Sequence, residues 1–464
     1  MIRRAFQALP DGMFRRDLTD GRLTTSDIDD ALTELNLRRG DMRKLGDYYI
    51  GQNPAILHRK RTEGSAGAPD NRIASPMARK LINTVTGYMY RPGYIQYGVD
   101  DNTQDEYKDR LAKVFSANGE ASKTARAGKY SSIFGAAYEV HYTRNNGTPE
   151  PRFTLLPTED FLPVYSNDVE PEIVAGVHRY YEEVTGRSTG IEHIDVYYAD
   201  TVISYSSEGA IRAGTMLVDD EAPHGYGMVP IVVYNNNDES MGDYEHVLGL
   251  IDAYDVLMSD SMNEFDRFAW AYLVLKDLNM DEDALNDVKL KRVFEVLKDG
   301  SVEFLTKDIQ TQFISFMRDW IQEEIHKQTH IPDMTDEHFA GNQSGVAIRY
   351  KLTDLENIAA VKEIGFREGL QRRIALLNSF WMTQGLQVVP PEDVSITMNR
   401  NVPANYKEQA EIMSMLRGHV SHRTLLDEVI TFVSDAGHEL DEINREVEAM
   451  PAFDLGVEDA DGDA

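Results

Sequence analysis

Along this 464-residue chain, apolar residues recur every third or fourth position over most of its length and at alternate positions over one central stretch. From Asp27 to Leu45 the spacing of Ile28, Leu32, Leu35 and Met42 predicts a helix, stopped by Tyr48-Tyr49-Ile50-Gly51. A polar loop at Gly64 to Asp70 (GSAGAPD) precedes a second helical pattern, Ile73 to Tyr90, carried by Met77, Leu81, Val85 and Tyr88. A third helix is expected over Gln104 to Ala117. Between Tyr138 and Tyr234 the pattern turns to short β-rich runs at Tyr138–Tyr142, Phe153–Leu156, His193–Tyr198, Thr201–Tyr205 and Val229–Tyr234. Turn signals such as Asn145-Asn146-Gly147 separate these runs, which predicts an antiparallel sheet region.

Beyond the polar run Asn235-Asn236-Asn237-Asp238 the helical period returns. Val247, Leu250, Ile251, Tyr254, Leu257, Ser261, Phe265 and Phe268 predict one long amphipathic helix. Ile309, Phe313, Phe316, Met317, Trp320 and Ile325 predict another, ending near His330 at Ile331-Pro332. Tyr272 to Asp308, between them, reads as a small mixed insertion. Asp333 to Ser344 (DMTDEHFAGNQS) is a polar loop, and an uninterrupted, proline-free helix is expected from Gly345 to Gln384. At ~1.5 Å per residue that helix would span about 60 Å, a spine for an elongated subunit. Val394–Met398 resembles a strand, and three short helices follow over Asn405–Arg417, Ser421–Val433 and Glu439–Ala449. Asn405 and Ser421 are the expected N-caps, with Glu408 completing a capping box. The acidic end, Glu458 to Ala464, is expected to fray. The fold class is α+β, mainly helical.

Composition narrows the function. With 42% hydrophobic and 27% charged residues, wholesale disorder and a fibrous repeat are both excluded. The length calls for two or more substructures, or one elongated multi-part subunit. Absence of cysteine removes disulfides, thiolate metal sites and a cysteine nucleophile, and fits intracellular assembly. Met1-Ile2-Arg3-Arg4 is followed by mixed polar sequence through Asp17, with no apolar stretch able to act as a signal peptide. The longest apolar runs, Met228–Tyr234 and Ala269–Leu275, fall far short of the ~20 residues of a bilayer-spanning helix, so no membrane association is expected. A net charge of −31, from 78 acidic and 47 basic side chains, should repel duplex DNA over most of the surface.

Local segments, in order, carry a family resemblance. They are Pro69-Asp70-Asn71-Arg72-Ile73 leading into Lys80-Leu81-Ile82-Asn83 and Thr86-Gly87-Tyr88; Phe134 to Glu139 (FGAAYE); and Gly227 to Asn236 (GMVPIVVYNN). Leu250 to Asp255 (LIDAYD) with Ser259-Asp260 and Asn263-Glu264, Asn342 to Ile348 (NQSGVAI) and Gly418 to Leu426 (GHVSHRTLL) complete the series. This succession resembles the portal, or head-to-tail connector, family of long-tailed bacteriophages over nearly the whole chain, least so in the first ~40 residues.

That resemblance implies a portal fold and a dodecameric ring with wing, stem, clip, tunnel loop and crown. By position, residues 1–242 would be wing, 243–271 and 309–332 the two stem helices, 272–308 the clip and 333–344 the tunnel loop. The wing spine helix and strand would occupy 345–402 and the helical crown with its acidic tail 403–464. Asp333, Thr335, Asp336, Glu337, His338, Phe339, Asn342 and Gln343 would line the DNA channel. Leu250, Ile251, Tyr254, Leu257, Phe265, Phe313, Phe316 and Trp320 would pack the stem, and a two-helix stem with wide apolar faces needs neighbouring subunits to cover the remainder. The implied partners are further copies of the chain, double-stranded DNA passing through, the terminase large subunit, the head-completion or tail adaptor protein, and the major capsid and scaffolding proteins. An acidic lumen suits a conduit along which a polyanion must slide.

No catalytic residue, metal site or cofactor is assigned. His326 and His330 have the i,i+4 spacing of a metal pair, but HxxxH without the glutamate of HExxH or a third ligand reads as a solvated or interface pair, and His419 with His422 likewise. Asp459, Asp461 and Asp463 open like a calcium loop that the chain ends before completing. Gly128-Lys129 is no phosphate loop, since position 123 is Lys and position 130 is Tyr. A helix-turn-helix at Glu411 to Val433 would press Asp427 and Glu428 into a major groove, so packing is the better reading. The basic patches Arg15-Arg16, Arg38-Arg39 with Arg43-Lys44, and His58 to Arg61 read as salt-bridged surface, with capsid, scaffold or DNA contact as the alternative. Two rivals stand beside the portal reading. One is another ring-forming virion connector, though such proteins are shorter and lack a helix pair flanking an insertion; the other is a metal-dependent hydrolase built on His326 and His330.

Overall fold

A computed structural model describes residues 13–60, 69–99, 105–184, 187–208, 216–268, 272–276, 301–305, 311–334, 350–401, 406–430, 433 and 436–449. The chain divides into two compact units. One comprises Met1–Asp333 with Asp354–Asn401, the other Met334–Thr353 with Val402–Ala464.

The first helix, α1 (Thr25–Ile50), outruns its predicted span at both ends. A capping box starts it: the Asp27 amide donates to Thr24 Oγ1 at 3.2 Å and the Thr24 amide to Asp27 Oδ2 at 2.9 Å. Gly51, at φ 77°, stops it in the left-handed region that suits glycine. Ile28, Ala31, Leu32 and Leu35 of α1 bury against a sheet whose inner face supplies Leu162, Val164, Val177, Ile194, Val196 and Ile203. That sheet has six strands, β1 (Phe14–Arg15), β5 (Phe161–Tyr165), β6 (Ile173–Val184), β7 (Arg187–Tyr197), β8 (Thr201–Glu208) and β9 (Leu217–Pro223), in this order. It is antiparallel except for the parallel β1–β5 pair.

A second sheet pairs β3 (Ala136–Asn145) with β4 (Pro149–Leu156) on one side and β10 (Ile231–Asn235) on the other. The single predicted sheet region is therefore two sheets. Sequence alternation missed β5, whose five residues are all buried, and β9, whose seven are all exposed. Neither shows the period-two signal of a half-buried strand. The expected strand Val394–Met398, β13, pairs with the unforeseen β2 (Ile95–Val99). In the predicted insertion, β11 (Tyr272–Lys276) pairs antiparallel with β12 (Ser301–Leu305), and the residues between lie outside the described ones.

Among the helices, the short α2 (Pro54–Leu57) precedes α3 (Met77–Met89). The latter starts four residues later than the pattern suggested, because Pro76 disfavours helix at the residues before it. α4 (Asp105–Asn118) falls where expected, but α5 (Glu120–Phe134) escaped notice. Its buried positions include Thr124, Ala127, Gly128, Ser131 and Ser132, which carry no apolar periodicity. Gly128 is there because the Tyr90 ring lies against it: a Cβ would come within 2.3 Å of that ring. The two stem-like helices are α6 (Leu248–Phe268) and α7 (Thr311–Thr329), and they pack on each other. The spine is α8 (Thr353–Thr383), about 46 Å at 1.5 Å per residue. It is not the uninterrupted span expected from Gly345, since Leu352 sits in a turn and 345–349 lie outside the described residues.

In the second unit, α9 (Tyr406–Leu416), α10 (His422–Glu428) and α11 (Ala436–Ala449) gather around Leu426, Ile430 and Ala436, joined by Met413, Leu440 and Ile443. Ser421 caps α10 as predicted, accepting from the Thr424 amide at 3.2 Å, while Asn405 lies outside the described residues. α10 ends five residues before the predicted Val433 and α11 begins three before the predicted Glu439.

Two buried ionic clusters lock α8 to the rest of its unit. Arg373, with no exposed surface, grips Glu139 of β3 by two bonds, 2.9 and 2.8 Å, and reaches Glu120 and Thr124 of α5 at 2.8 Å each. Burial would raise the Glu139 carboxyl, but Arg373 and a bond from His141 hold it at about 2. Lys362 donates to Asp243 at 2.7 and 2.8 Å, to Ser132 at 2.8 Å and to Asn236. Asn236 Nδ2 in turn bonds Asp243 Oδ1 at 2.8 Å. Gly135, at φ 86°, lets the Ser240 carbonyl approach so closely that a Cβ would lie 1.9 Å from it. The polar run after β10 is thus pinned from three sides, which sets the position from which α6 departs.

Candidate functional site: a helix pair with two unlike faces

The inward stripe of α6 begins apolar and becomes polar. Val247, just before the helix, and Ile251 are buried, and so, four and eight residues after Ile251, are Asp255 and Ser259. These polar groups receive the extended chain on either side of α2 and before α3. Asn53 Nδ2 donates to Asp252 at 3.0 Å and to Asp255 at 2.8 Å, and Tyr48 Oη donates to Asp252 at 2.6 Å. The Ser75 amide donates to Asp255 and the Ile73 amide to Ser259 Oγ, both at 2.9 Å. Asn71 binds Asn263 through its amide at 2.7 Å and through Nδ2 at 3.1 Å, and reaches Asp266 at 2.6 Å. Arg59 closes the series on Asp260 at 2.8 Å. Burial raises the Asp255 carboxyl above the usual range against the pull of Asn53 and the Ser75 amide. It also raises the Tyr48 hydroxyl, helped by Asp252. Backbone amides that no sheet or helix pairs are satisfied here by side chains of α6.

The opposite face is aromatic and open. Phe265 on α6 is 63% exposed, and Phe313, Phe316 and Trp320 on α7 are 57%, 62% and 43% exposed. The last three fall at i, i+3 and i+7, one side of the helix. On its inner side α7 buries Ile321, Ile325 and Thr329. Of the residues assigned to helix packing, Ile251 is buried within the chain; Leu250, Tyr254 and Leu257 are half-buried; Phe265, Phe313, Phe316 and Trp320 find no cover in the chain among the described residues. Exposed aromatic side chains grouped along one side of a helix make that side a candidate association site.

At the end of α7 the chain reverses sharply. His330 holds φ 56°, a left-handed backbone uncommon away from glycine, and Ile331 is buried. Asp333 then accepts from Lys80 Nζ at 2.8 Å and from Gln322 Nε2 at 3.0 Å. This aspartate, expected to line the channel, is bonded to α3 and α7. Thr335, Asp336, Glu337, His338, Phe339, Asn342 and Gln343 lie outside the described residues. His326 turns its Nδ1 to the Ile331 carbonyl at 2.8 Å, its Nε2 lies 3.5 Å from Asp333, and burial lowers its basicity. Through Nδ1, His326 braces the turn that ends α7.

The basic patches are largely paired. Arg16 meets Asp27 and Asp30, Arg38 meets Glu34, Arg39 meets Asp160, and Arg43 meets Glu159. Gly128-Lys129 lies inside α5 rather than in a loop. Sequence reasoning missed the polar receptor on α6 and the Arg373 and Lys362 clusters. A signal for the receptor was present: Asp252, Asp255, Ser259, Asn263 and Asp266 share one side of a helix whose other side is apolar, so both sides needed partners.

The family model described as "Phage portal protein, SPP1 Gp6-like" matches residues 29–450. The chain is 22% identical over 408 residues to the portal protein of Clostridium phage phiCD119, covering 84% of this chain and 89% of that one. It is 25% identical over 441 residues to the portal protein of Bacillus phage SPP1, covering 89% and 85%. Among solved structures, "Neck of native GTA particle computed with C12 symmetry" aligns at 12% identity and a TM-score of 0.47, covering 84% of this chain and 93% of that one. "Virion of native gene transfer agent (GTA) particle" aligns at 14% and 0.43 over the same shares.

Proposed function

The chain belongs to the SPP1 Gp6-like family of phage portal proteins, and on that premise we propose that copies of it close into a dodecameric ring at one capsid vertex. The observation that carries the ring is the aromatic face of α6 and α7, which the described residues of one chain leave open. A head-to-tail interface repeated around an axis closes on itself when its rotation permits, and leaves a central hole. Double-stranded DNA passes through that hole during packaging and ejection. The segment carrying β11 and β12 is the clip, which recruits the terminase large subunit and later the head-completion or tail adaptor protein. The sheets with α1, α3 and α8 form the wing, seated against the major capsid and scaffolding proteins. Residues 333–344 form the tunnel loop and 403–464 the crown. The net charge of −31 keeps the wall from gripping the polyanion that moves along it. The family is structural, and the protein acts as conduit and docking platform while a separate motor supplies the energy.

Light scattering and class averages of electron micrographs test the ring. A large annular particle is expected from the unaltered chain, and smaller species from the pair Phe316→Ser and Trp320→Ser. A ring that both substitutions leave intact would remove the aromatic face from the interface.

A further inference from the structure

A group of cations around the C-terminal half of α1 goes unanswered by carboxylates. Arg79 of α3 and Lys123, Arg126 and Lys129 of α5 make no ion pair among the described residues. This is unusual in a chain of net charge −31, where Arg16, Arg38, Arg39, Arg43 and Arg59 are all paired. Lys129 and Arg79 lie 4.8 and 5.5 Å from the centroid of the Tyr49 ring. Lys123 and Arg126 line a cleft of about 710 Å³ between α1, α5 and the corner joining β4 to β5. Met42, Ile50, Phe134, Leu156 and Pro157 make its apolar lining, with Tyr130 beside them. Its size is within the ~300–1,000 Å³ of pockets that hold ligands. Asp47 and Glu159 also line it, and Glu159 is held by Arg43 at 3.0 Å, so the remaining charge at the cleft is positive.

Two further details mark the cleft as a place for an occupant. Thr158, 4% exposed, is part of its lining, and the Thr158 Oγ1 has no hydrogen-bond partner among the described residues. Folded proteins ordinarily pair such a group. Gly46 stands inside the 26-residue α1, where glycine weakens a helix. No close approach requires it there, because a Cβ would meet only the Phe134 ring, at an ordinary 3.9 Å. What the missing side chain does is widen the cleft.

We propose that this cleft binds a segment of another protein in which an aliphatic or aromatic side chain stands beside carboxylates. The apolar side chain enters between α1 and α5, and the carboxylates meet Arg126 and Lys123. Duplex DNA suits the site less, since its backbone offers no apolar group and the chain's net charge opposes it. The chain's own exposed acidic strand, β9, is already engaged: Glu221 accepts from Arg22 at 2.7 Å and Asp219 from Ser206 at 2.8 Å. The cleft lies within one unit of one chain, so its occupancy can be tested whether or not copies close into a ring.

The test screens full-length protein against a library of random nonapeptides displayed on yeast. Sequences with Leu, Ile or Phe flanked by Asp or Glu are expected to be enriched, and the best of them is then synthesised for titration. Arg126→Glu should weaken that peptide by about tenfold or more, and Arg126→Lys should retain it. Gly46→Leu fills the cleft and should abolish binding while leaving the melting temperature at or above that of the unaltered chain. Enrichment of basic sequences, or none, overturns the proposal. Binding that survives both Arg126→Glu and Gly46→Leu does so too. Competition by a peptide of the sequence Leu217–Pro223 would make the occupant a second copy of this chain, and competition by a short DNA duplex would make it a nucleic acid; either result overturns the assignment to another protein.

Discussion

Arg373 and Trp320 invert the usual arrangement in opposite directions. The guanidinium of Arg373 is wholly buried among Glu139, Glu120 and Thr124, with its Cζ over the Phe153 ring, 4.8 Å from the centroid, whereas Trp320 stands 43% exposed on the same helix side as Phe316 and Phe313. A buried charge is tolerated only when its partners surround it, and here β3, α5 and α8 deliver them all from one chain. An exposed aromatic cluster has no such partners among the described residues and is satisfied only by another surface. The first inversion is therefore settled on folding, and the second is left open by it.

The largest effect should come from breaking the settled side. Arg373→Met strands Glu139 and Glu120 in the interior and is expected to cost about 3–5 kcal/mol in urea unfolding. A loss under about 1 kcal/mol would mean that water reaches the cluster. On the open side, Trp320→Ala should leave the unfolding of a lone chain within ~0.5 kcal/mol while weakening assembly by about 2 kcal/mol per interface, read from the concentration at which rings dissociate. Equal losses in both measurements would erase the contrast. The polar receptor on α6 lies between the two, and Asn53→Leu, which removes the donor shared by Asp252 and Asp255, should cost about 1–3 kcal/mol in unfolding.

Acid separates the two sides without mutation. Glu139 titrates near 2 when folded against its ordinary 4.5, so its stabilising contribution is fully present above about pH 4.5 and is lost as pH falls toward 2. His141, kept neutral by burial against the pull of Glu139, adds a loss of the same sign once pH drops below its ordinary 6.5. Unfolding midpoints should therefore fall slightly from pH 7 to 5 and steeply below 4.5. In Arg373→Met, where Glu139 loses its main partner, the steep part should flatten.

Much of the fold was legible because its signals are local. The helices of the α6–α7 pair, α4, β13 and the Ser421 cap follow from apolar spacing and capping chemistry read a few residues at a time. What escaped was local structure without contrast. α5 buries small and polar side chains, β5 is buried throughout and β9 exposed throughout, so none of them alternates. The spine helix was overextended because a proline-free run does not reveal the turn at Leu352.

By itself the sequence determined where most of the helices lie, that α6 and α7 would each present a wide apolar face, and that no thiol chemistry was available. Only the tertiary structure decided that Asp255 and Ser259 receive backbone amides from residues 73–75, that Arg373 and Lys362 are buried with partners more than a hundred residues away, and that Asp333 is bound to Lys80. Periodicity is a property of neighbours along the chain and can be read from them. The partner of a buried charge is a property of neighbours in space, and the same Asp, Lys or Arg reads identically in sequence whether it meets water or its opposite.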